Sequence, residues 1–310
     1  MIFAPIANWW ISRRARPEPA AIEAAASLLP AIAITGASRG IGFAIASQFA
    51  TPDHAVLLIA RDKGELALAA RKLSSEKAAA KVLTLSLDVT SLDAGEEIEK
   101  SLAAEGCYLD ILVNNAGFGL AGDFSEQQPE RIDQLVALNV ASVTRLTRQA
   151  LPGMLARGRG GILNVASLAG LMPGPYQAAY YASKAYVVSL TRAVAAEAGG
   201  RGVRICSALP GPVETSIHAD MGANNALYRY VMPSLTPEAA ARSIYRGYRL
   251  GHALIVPGIG NFLVSRFVSF VPYTLLVPVV GLLLWPGQQA KAKSRSAQNA
   301  IEDVDNEKVP

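Results

Sequence analysis

Cysteine and histidine are scarce in this sequence, and their scarcity excludes several kinds of protein. Only two of the 310 residues are cysteines and only three are histidines. Cys107 and Cys206 lie far apart and match no metal-binding or redox spacing, so we expect two buried thiols in a reducing, cytoplasmic compartment and no bound metal. The isolated His54, His218 and His252 are expected to be structural or solvent-facing.

Charge is also sparse, at 17% of the chain against 51% hydrophobic residues, with a formal net charge of +4. The basic residues are scattered and form only small clusters at Arg13–Arg16 and Lys291–Arg295. A nucleic-acid surface needs a denser basic stripe, so we expect no nucleic-acid partner.

The first 29 residues form an oily leader that does not read as a secretory signal. Its apolar run, Met1–Ile11, precedes the arginines, which is the reverse of the usual order, and no small-residue cleavage site follows. Trp9 and Trp10 before three arginines suit an anchor at a membrane interface. A helix packed on the domain, or a disordered segment, fits the same residues equally well.

From residue 30 to residue 258, short apolar runs alternate with helix-favouring stretches. Runs that are apolar throughout predict strands of a parallel sheet covered on both faces. Their strict alternation with helices predicts an α/β, Rossmann-type, doubly wound sheet of seven mainly parallel strands with helices on both faces. The predicted strands are Ala31–Thr35, Ala55–Ala60, Val82–Leu87, Ile111–Asn114, Gly161–Val165, Val203–Ala208 and Ala253–Val256. The clearest predicted helices cover about residues 41–50, 91–104, 130–156, 178–198 and 237–250.

A glycine-rich turn follows the first predicted strand. Gly36 permits a tight turn, while Gly40 and Gly42 allow phosphate and strand to approach the helix backbone closely. The free amides at the start of that helix would point at a pyrophosphate. Glycines at this spacing are a weak signal alone and a moderate one between a first strand and a first helix.

The end of the second predicted strand selects the cofactor. An acid at this place favours NAD, whereas an arginine accommodates the 2′-phosphate of NADP. Arg61 ends the strand and Arg39 lies within the glycine turn, so two guanidinium groups favour NADP(H) over NAD(H). Asp62 is the alternative, because its carboxylate could bind a ribose hydroxyl instead.

Tyr180 and Lys184 are four residues apart on a predicted helix and therefore share one face. A phenol with a pKa of about 10 is a poor acid or base at neutral pH, and a nearby ammonium would lower that pKa. Tyr181 is rejected because Ala185 lies four residues beyond it. Tyrosine–lysine pairs of this spacing are common on amphipathic helices, so the pair needs support from other residues.

That support comes from the ends of the other strands. Ser167 closes the fifth strand, where its hydroxyl could donate to a substrate oxygen. Asn114-Asn115-Ala116-Gly117 closes the fourth, and a buried Asn139 in the next helix could hold a water. Pro210–Thr215 closes the sixth strand and could border a nicotinamide.

Taken in order, these motifs resemble those of a classical short-chain dehydrogenase/reductase over about residues 30–258. The resemblance implies that Tyr180 is the general acid/base, that Lys184 lowers its pKa and holds the ribose, and that Ser167 polarises the carbonyl. Asn139 would position a water behind Lys184. The implied cofactor-binding residues are Gly36, Ser38, Arg39, Gly40, Ile41, Gly42, Arg61, Asp88, Val89, Asn115, Ala116, Gly117, Tyr180, Lys184, Pro210, Gly211, Val213 and Thr215.

The expected activity is interconversion of a ketone and a secondary alcohol on an apolar substrate, such as a 3-oxoacyl or steroid-like compound, with NADP(H). An NAD-dependent alcohol dehydrogenase working in the oxidising direction is the first alternative. The second is a sensor or scaffold that binds NADP(H) without turnover. The family also implies a homodimer or homotetramer.

Beyond the last strand, residues 259–287 form an apolar extension, and residues 288–310 form a polar tail expected to be disordered. No charged residue lies between Phe267 and Trp285, which meets the length criterion for a membrane span. Pro272 and Pro278 interrupt this run. A hairpin lying in a membrane interface, a soluble lid or dimer contact, and a true span are the three interpretations left open. The protein would then be either free in the cytoplasm or bound to the cytoplasmic face of a membrane.

Overall fold

The computed structural model describes residues 17–78, 80–215, 221 and 234–285. Within them, seven strands form one sheet in the order β3-β2-β1-β4-β5-β6-β7, and every pair of neighbouring strands is parallel. The predicted Rossmann-type fold is confirmed. The strands are β1 Leu29–Thr35, β2 Ala55–Ala60, β3 Lys81–Ser86, β4 Cys107–Asn114, β5 Gly160–Val165, β6 Val203–Ala208 and β7 Leu254–Ile255.

Helices cover both faces of this sheet. They are α1 Pro19–Ala26, α2 Gly40–Phe49, α3 Lys63–Glu76, α4 Ala94–Ala104, α5 Pro129–Val136, α6 Val143–Arg157, α7 Ala178–Ala198, α8 Pro237–Arg249, α9 Ile259–Val268 and α10 Tyr273–Leu284. Two short 3₁₀ turns, Phe124–Glu126 and Leu168–Leu171, lie in the connections.

The uniformly apolar strands are explained by two cores, one on each face of the sheet. Ile32 and Ile34 of β1 pack into one core, and the intervening Ala31 and Ala33 pack into the other. Because side chains alternate between faces, a strand that is covered on both sides is apolar at most positions. Cys206 and Cys107 are buried in these two cores as free thiols.

The order of the strands places the site. From β1 the chain proceeds outward to β2 and β3, and then returns to add β4 on the other side of β1. The connections leave β1 and β4 in opposite directions, which opens a crevice beyond their carboxyl ends. In this structure that crevice lies between the residues after Thr35 and those after Asn114.

Several helix boundaries have visible local causes. Asp62 caps α3, since its side chain accepts a hydrogen bond from the Glu65 amide at 2.7 Å. Thr236 caps α8 in the same way, with Pro237 in the first helical position. Gly158 ends α6 in the left-handed conformation, with φ 64°.

The structure corrects the predicted helix of residues 130–156. It consists of α5 and α6 joined by a π-helical segment, Ala137–Ser142. The wider turns carry one extra residue, which spacing in the sequence does not reveal. The predicted helix of residues 91–104 begins later, at Ala94, and β4 begins four residues earlier than predicted.

Part of the leader packs on the domain. In α1 and the residues before it, the Glu18 amide donates to the Ala156 carbonyl at 2.7 Å, and Pro17 lies against Gly158. Residues 17–28 are therefore attached to the end of α6. Residues 1–16 and 288–310, on which the anchor and the disordered tail were predicted, lie outside the described residues.

The apolar extension forms two helices, α9 and α10, rather than one continuous helix, and Pro272 lies between them. Among the described helices, none combines the length and the hydropathy that crossing a membrane requires.

Candidate active site

The glycine turn after β1 is shaped by close backbone approaches. Gly36 adopts φ 65°, a conformation that favours glycine, and the Ala37 amide donates to the Ile59 carbonyl at 3.1 Å. A Cβ on Gly42 would overlap the Gly36 carbonyl oxygen, so α2 packs against the turn only without a side chain there. The result is a helix N-terminus that opens onto the crevice, where anions are favoured.

The segment after β4 holds this turn in place. The Asn115 side chain donates to the carbonyls of Thr35 at 2.9 Å and Gly36 at 3.1 Å. In return, the Thr35 hydroxyl accepts from the amides of Asn115 and Ala116, each at 3.0 Å. The predicted motifs at Gly36 and Asn115 are thus one hydrogen-bonded unit across the crevice.

Arg61 and Asp62, the two residues at the end of β2 that could select the cofactor, differ in the contacts that their side chains make. Asp62 uses its carboxylate to cap α3. Arg61 follows β2 directly, and its positive charge contributes to lowering the pKa of Asp88, although hydrogen bonds from Thr90 are the main cause. The Ser38 hydroxyl donates to the Glu65 carboxylate at 3.1 Å, which places an acid beside the glycine turn as well.

Lys184 and Tyr180 occupy the start of α7, where the helix passes the end of β5. The Lys184 ammonium is buried, donates to the Val165 carbonyl at 3.0 Å, and lies 5.9 Å from the centre of the Tyr180 ring. Burial lowers the Lys184 pKa to about 8. Burial also raises the pKa of Tyr180, against a smaller opposing effect of a hydrogen bond with Ser167.

This result qualifies the prediction that Lys184 lowers the Tyr180 pKa. The protein alone keeps the phenol protonated, because desolvation outweighs the other influences. Ser167 lies beside it, accepting from the Ala169 amide at 3.2 Å and donating to the Pro210 carbonyl at 3.4 Å. Tyr180 and Ser167 therefore present two hydroxyls at one place in the crevice.

Asn139 lies in the π-helical segment and is fully buried. Its side chain accepts from the Phe118 amide at 3.1 Å and donates to the Phe118 carbonyl at 2.8 Å. The same amide group is 3.1 Å from the Ser183 hydroxyl. A Cβ on Gly117 would come within 3.0 Å of Asn139 Oδ1 and 3.4 Å of Lys184 Nζ, so this glycine keeps the space between them open.

A buried polar network beneath the site was missed by the sequence analysis. Asn114 donates to Thr147 at 3.2 Å and to Asn164 at 2.9 Å, and Asn164 donates to Thr191 at 2.9 Å. These bonds join β4 and β5 to α6 and α7. The available signal was the pair of asparagines within otherwise apolar strands.

The loop after β6 closes the site from the other side. Thr215 approaches Gly40 of the glycine turn, and Val213 pairs with Leu235. A Cβ on Gly211 would overlap the side chain of Asn261, which donates to the Pro257 carbonyl at 2.8 Å. The extension therefore contacts the Pro-Gly segment directly. Most of the residues between Thr215 and Ser234 lie outside the described residues.

One wall of the crevice is apolar and rests on the extension. Tyr176, in the left-handed region with φ 63°, lies 5.9 Å from Trp285 between ring centres. Met221 packs on Gly119. The residues that pack against α9 and α10 are Leu171, Met172 and Tyr176, which lie between Ser167 and α7, and Tyr181 within α7.

The structure therefore brings the four predicted catalytic side chains and the glycine turn to the carboxyl edge of the sheet. A family model described as short chain dehydrogenase matches residues 30–226. The chain belongs to the short-chain dehydrogenase family.

Among the described residues, His54 lies at the opposite edge of the sheet, beside Asp110 at 3.5 Å.

Curated members of the short-chain dehydrogenase family resemble this chain in part. It is 38% identical to 2-(S)-hydroxypropyl-CoM dehydrogenase 3 of Xanthobacter autotrophicus, over 60% of this chain and 72% of that one. It is 36% identical to very-long-chain 3-oxoacyl-CoA reductase-B of Danio rerio, over 59% of this chain and 60% of that one. Several of the relatives it matches are therefore covered over less than two thirds of their length.

A solved family structure agrees with the fold. The short-chain dehydrogenase from Sphingobium yanoikuyae in complex with NADPH superposes with a TM-score of 0.67 at 28% identity. The match covers 79% of this chain and 97% of that one.

Proposed function

We propose that this protein is an NADP(H)-dependent oxidoreductase that interconverts a ketone and a secondary alcohol on an apolar substrate. The observation that carries the proposal is the convergence of Tyr180, Ser167 and Lys184 at the mouth of the crevice beside the glycine turn. Membership of the short-chain dehydrogenase family and the NADPH complex of a structural relative support it.

The crevice suits a dinucleotide in shape. Gly42 lets the start of α2 pack against the glycine turn, and that start presents backbone amides to a pyrophosphate. Gly36, Ser38, Gly40 and Ile41 would surround the phosphates, with Asp88 and Val89 on the adenine side. Asn115, Ala116, Pro210, Val213 and Thr215 would flank the cofactor further along. When bound, the nicotinamide supplies the hydride.

The roles of the side chains follow from their chemistry. In reduction, Ser167 donates a hydrogen bond to the substrate oxygen and Tyr180 gives that oxygen a proton. The raised pKa of Tyr180 keeps the phenol protonated and ready to donate. The Lys184 ammonium stabilises the phenolate left behind, and Asn139 holds the Phe118 backbone and the space behind Lys184.

Two arginines support NADP(H) over NAD(H). Arg39 precedes α2 and Arg61 follows β2, and the contact of Ala37 with Ile59 joins their two segments. The acid next to Arg61 is Asp62, which is engaged in capping α3. A guanidinium pair is therefore better placed than Asp62 to meet the cofactor's 2′ position.

One observation favours the NAD alternative. The Glu65 carboxylate accepts from Ser38 beside the turn, and a carboxylate there could bind the ribose diol instead. The two cofactors are separated by fluorescence titration of NADPH and NADH. We expect Arg61→Ala to weaken NADPH binding about tenfold and to leave NADH binding unchanged. Tighter NADH binding by the wild type, lost in Glu65→Gln, would establish the NAD enzyme.

An apolar substrate is supported by the wall of the crevice. Met172 and Tyr176 lie between Ser167 and α7, Tyr181 lies in the first turn of α7, and Met221 packs on Gly119. One similar protein is named as a reductase of very-long-chain 3-oxoacyl-CoA. We therefore expect ketones with long alkyl chains or fused rings to be the best substrates.

The decisive experiment measures NADPH oxidation with a series of ketones of increasing chain length. We expect turnover to rise with chain length, and Tyr180→Phe to lower kcat/KM by about 10²–10⁴-fold while NADPH still binds. Tyr245→Phe is the control, since Tyr245 packs on Phe49 and accepts a hydrogen bond from Arg249, away from the proposed site. Turnover in Tyr180→Phe equal to the wild type would refute the assigned acid. If neither the wild type nor Tyr180→Phe turns over any of the ketones while both bind NADPH, the sensor alternative is favoured.

A further inference from the structure

The exposed apolar side chains of this protein are concentrated in one short segment. The described residues include 18 large hydrophobic side chains that are exposed to solvent, and ten of them lie between residues 259 and 285. We call these ten the apolar face: Ile259, Phe262, Leu263, Phe267, Phe270, Tyr273, Leu275, Val279, Leu282 and Trp285. Scattered exposed apolar residues are ordinary, but a contiguous set marks a binding surface.

Helix α9 has its polarity reversed relative to a helix of a water-facing domain. Its inward side buries Asn261 and Ser265 together with Val268. Positions 259, 262, 263, 267 and 270, which repeat at helical spacing, carry apolar side chains and point outward. The apolar outer side of such a helix gains free energy when it leaves water for an apolar environment.

Helix α10 repeats the arrangement with an apolar inner side. Leu276, Val280 and Leu284 pack with Val268 against the wall of the crevice. Leu275, Val279 and Leu282, on the other side of the helix, are exposed by 56–65%. Both helices thus cover the domain with one side and present apolar side chains on the other.

The charges and aromatic residues indicate what covers this face. Arg266 is exposed among the apolar side chains, and no Asp or Glu occurs between Glu238 and Glu302. Five members of the face are aromatic. Aromatic rings and basic residues beside an apolar helix face are the composition of helices that lie in the interface of anionic membranes.

We propose that the apolar face docks this protein on the surface of a lipid bilayer that contains anionic headgroups. The ten side chains would enter the boundary between headgroups and acyl chains, with Arg266 beside the phosphates. A second copy of the chain fits less well. In a two-fold contact through this face, Arg266 would meet the same segment of its partner, which contains no acid to pair with it.

The test is flotation of the full-length protein with vesicles, one set of phosphatidylcholine alone and one of equal parts phosphatidylcholine and phosphatidylserine. We expect binding to the mixed vesicles and much weaker binding to the neutral ones. The triple variant Phe262→Ser, Phe267→Ser, Phe270→Ser should lower the partition coefficient at least about tenfold, because three exposed rings no longer enter the lipid. Arg266→Gln should lower binding to the mixed vesicles only.

The matched control is Leu68→Ser, Leu92→Ser, Leu250→Ser, which removes three comparably exposed apolar side chains elsewhere. This control should bind vesicles as the wild type does, and thermal melting should show that both triple variants are folded. Equal vesicle binding by the phenylalanine variant and the wild type would overturn the proposal, as would a wild type that stays unbound. If the wild type binds no vesicles but forms a dimer, and the phenylalanine triple variant alone is monomeric, the face belongs to a contact with a second copy. Vesicle binding needs no turnover, so its failure would leave the proposed activity untouched.

Discussion

The two edges of the parallel sheet use buried polar groups in different ways. At the amino edge, Asp110 is almost fully buried, Arg159 at 3.2 Å compensates its charge, and His54 lies 3.5 Å away. At the carboxyl edge, Lys184 is equally buried, but it donates to the neutral Val165 carbonyl, and among the described residues no acid forms an ion pair with it. Removing one partner from a compensated buried pair destabilises the fold, whereas a charge held without a counter-ion costs stability and is available for chemistry.

The largest expected effect comes from removing the uncompensated charge. Lys184→Met should lower kcat/KM by about 10²-fold or more, because no ammonium then stabilises the Tyr180 phenolate. The free energy of unfolding should stay equal or rise, since the helix no longer buries a charge. Steady-state kinetics and denaturant unfolding measure the two quantities. Lys72→Met, at an exposed lysine, is the control, and a large loss of stability in Lys184→Met would contradict the contrast between the edges.

The next effect is a pH dependence at the same residue. Because burial lowers the Lys184 pKa to about 8, the ammonium is lost as the pH rises through that value. Tyr180 has a raised pKa and remains protonated over this range. We expect kcat/KM for reduction to fall about tenfold per pH unit above the Lys184 pKa. The descending limb should be absent in Lys184→Arg, whose charge persists, and an unchanged limb would assign it to another group.

At the amino edge the corresponding change should affect stability alone. Asp110→Asn should lower the free energy of unfolding by about 1–3 kcal/mol, since it removes a buried, charge-assisted contact with Arg159. Its kcat/KM should match the wild type at temperatures where both are folded. Glu76→Gln breaks the exposed pair with Lys72 and should change stability by no more than about 0.5 kcal/mol. Loss of activity in folded Asp110→Asn would show that the two edges are coupled.

The smallest expected effect is the loss, at low pH, of the contribution that the Asp110 carboxylate makes to the free energy of unfolding. Burial would raise the Asp110 pKa, but the hydrogen bond from His54 and the charge of Arg159 outweigh it and hold the pKa below its usual range. The contribution is therefore complete above the unfolded pKa of about 3.9 and disappears as the pH falls through the lower folded value. Acid titration of unfolding should show the wild type and Asp110→Asn converging at low pH. A constant difference would rule out the ion pair as the cause.

The periodicity and composition of the sequence were sufficient to predict most strands of the sheet. Strands β2 and β6 and helix α7 have the predicted bounds. Strand β4 was predicted too short, since Asp110 reads as a loop residue until the pairing with Arg159 and His54 is known. The bulge at Ala137–Ser142 and the reversed polarity of α9 depend on tertiary contacts, which a local pattern does not contain.

The site shows the same division. Gly36 and Ser167 could be placed together because each follows a strand end and those ends share one edge. Tyr180 and Lys184 could be paired because they are four residues apart on one helix. The support beneath them could not be predicted, since Asn114 and Asn164 are partners fifty residues apart and Ser183 meets Asn139 only through the π-helical bulge. Pairing across the fold decides which polar residues are supports and which reach a ligand.

The contact of Asn261 with Gly211 limits how this chain could be recombined with its relatives. Asn261, in the first turn of the extension, fills the space over Gly211 of the Pro-Gly segment. Its side chain also donates to the Pro257 carbonyl, where the extension begins. A chimera that exchanged the chain after Pro257 would import a different shape onto the loop that borders the reaction. Segment swaps at that junction would thus alter the catalytic pocket as well as the outer surface, and breakpoints are better placed within β6 or earlier.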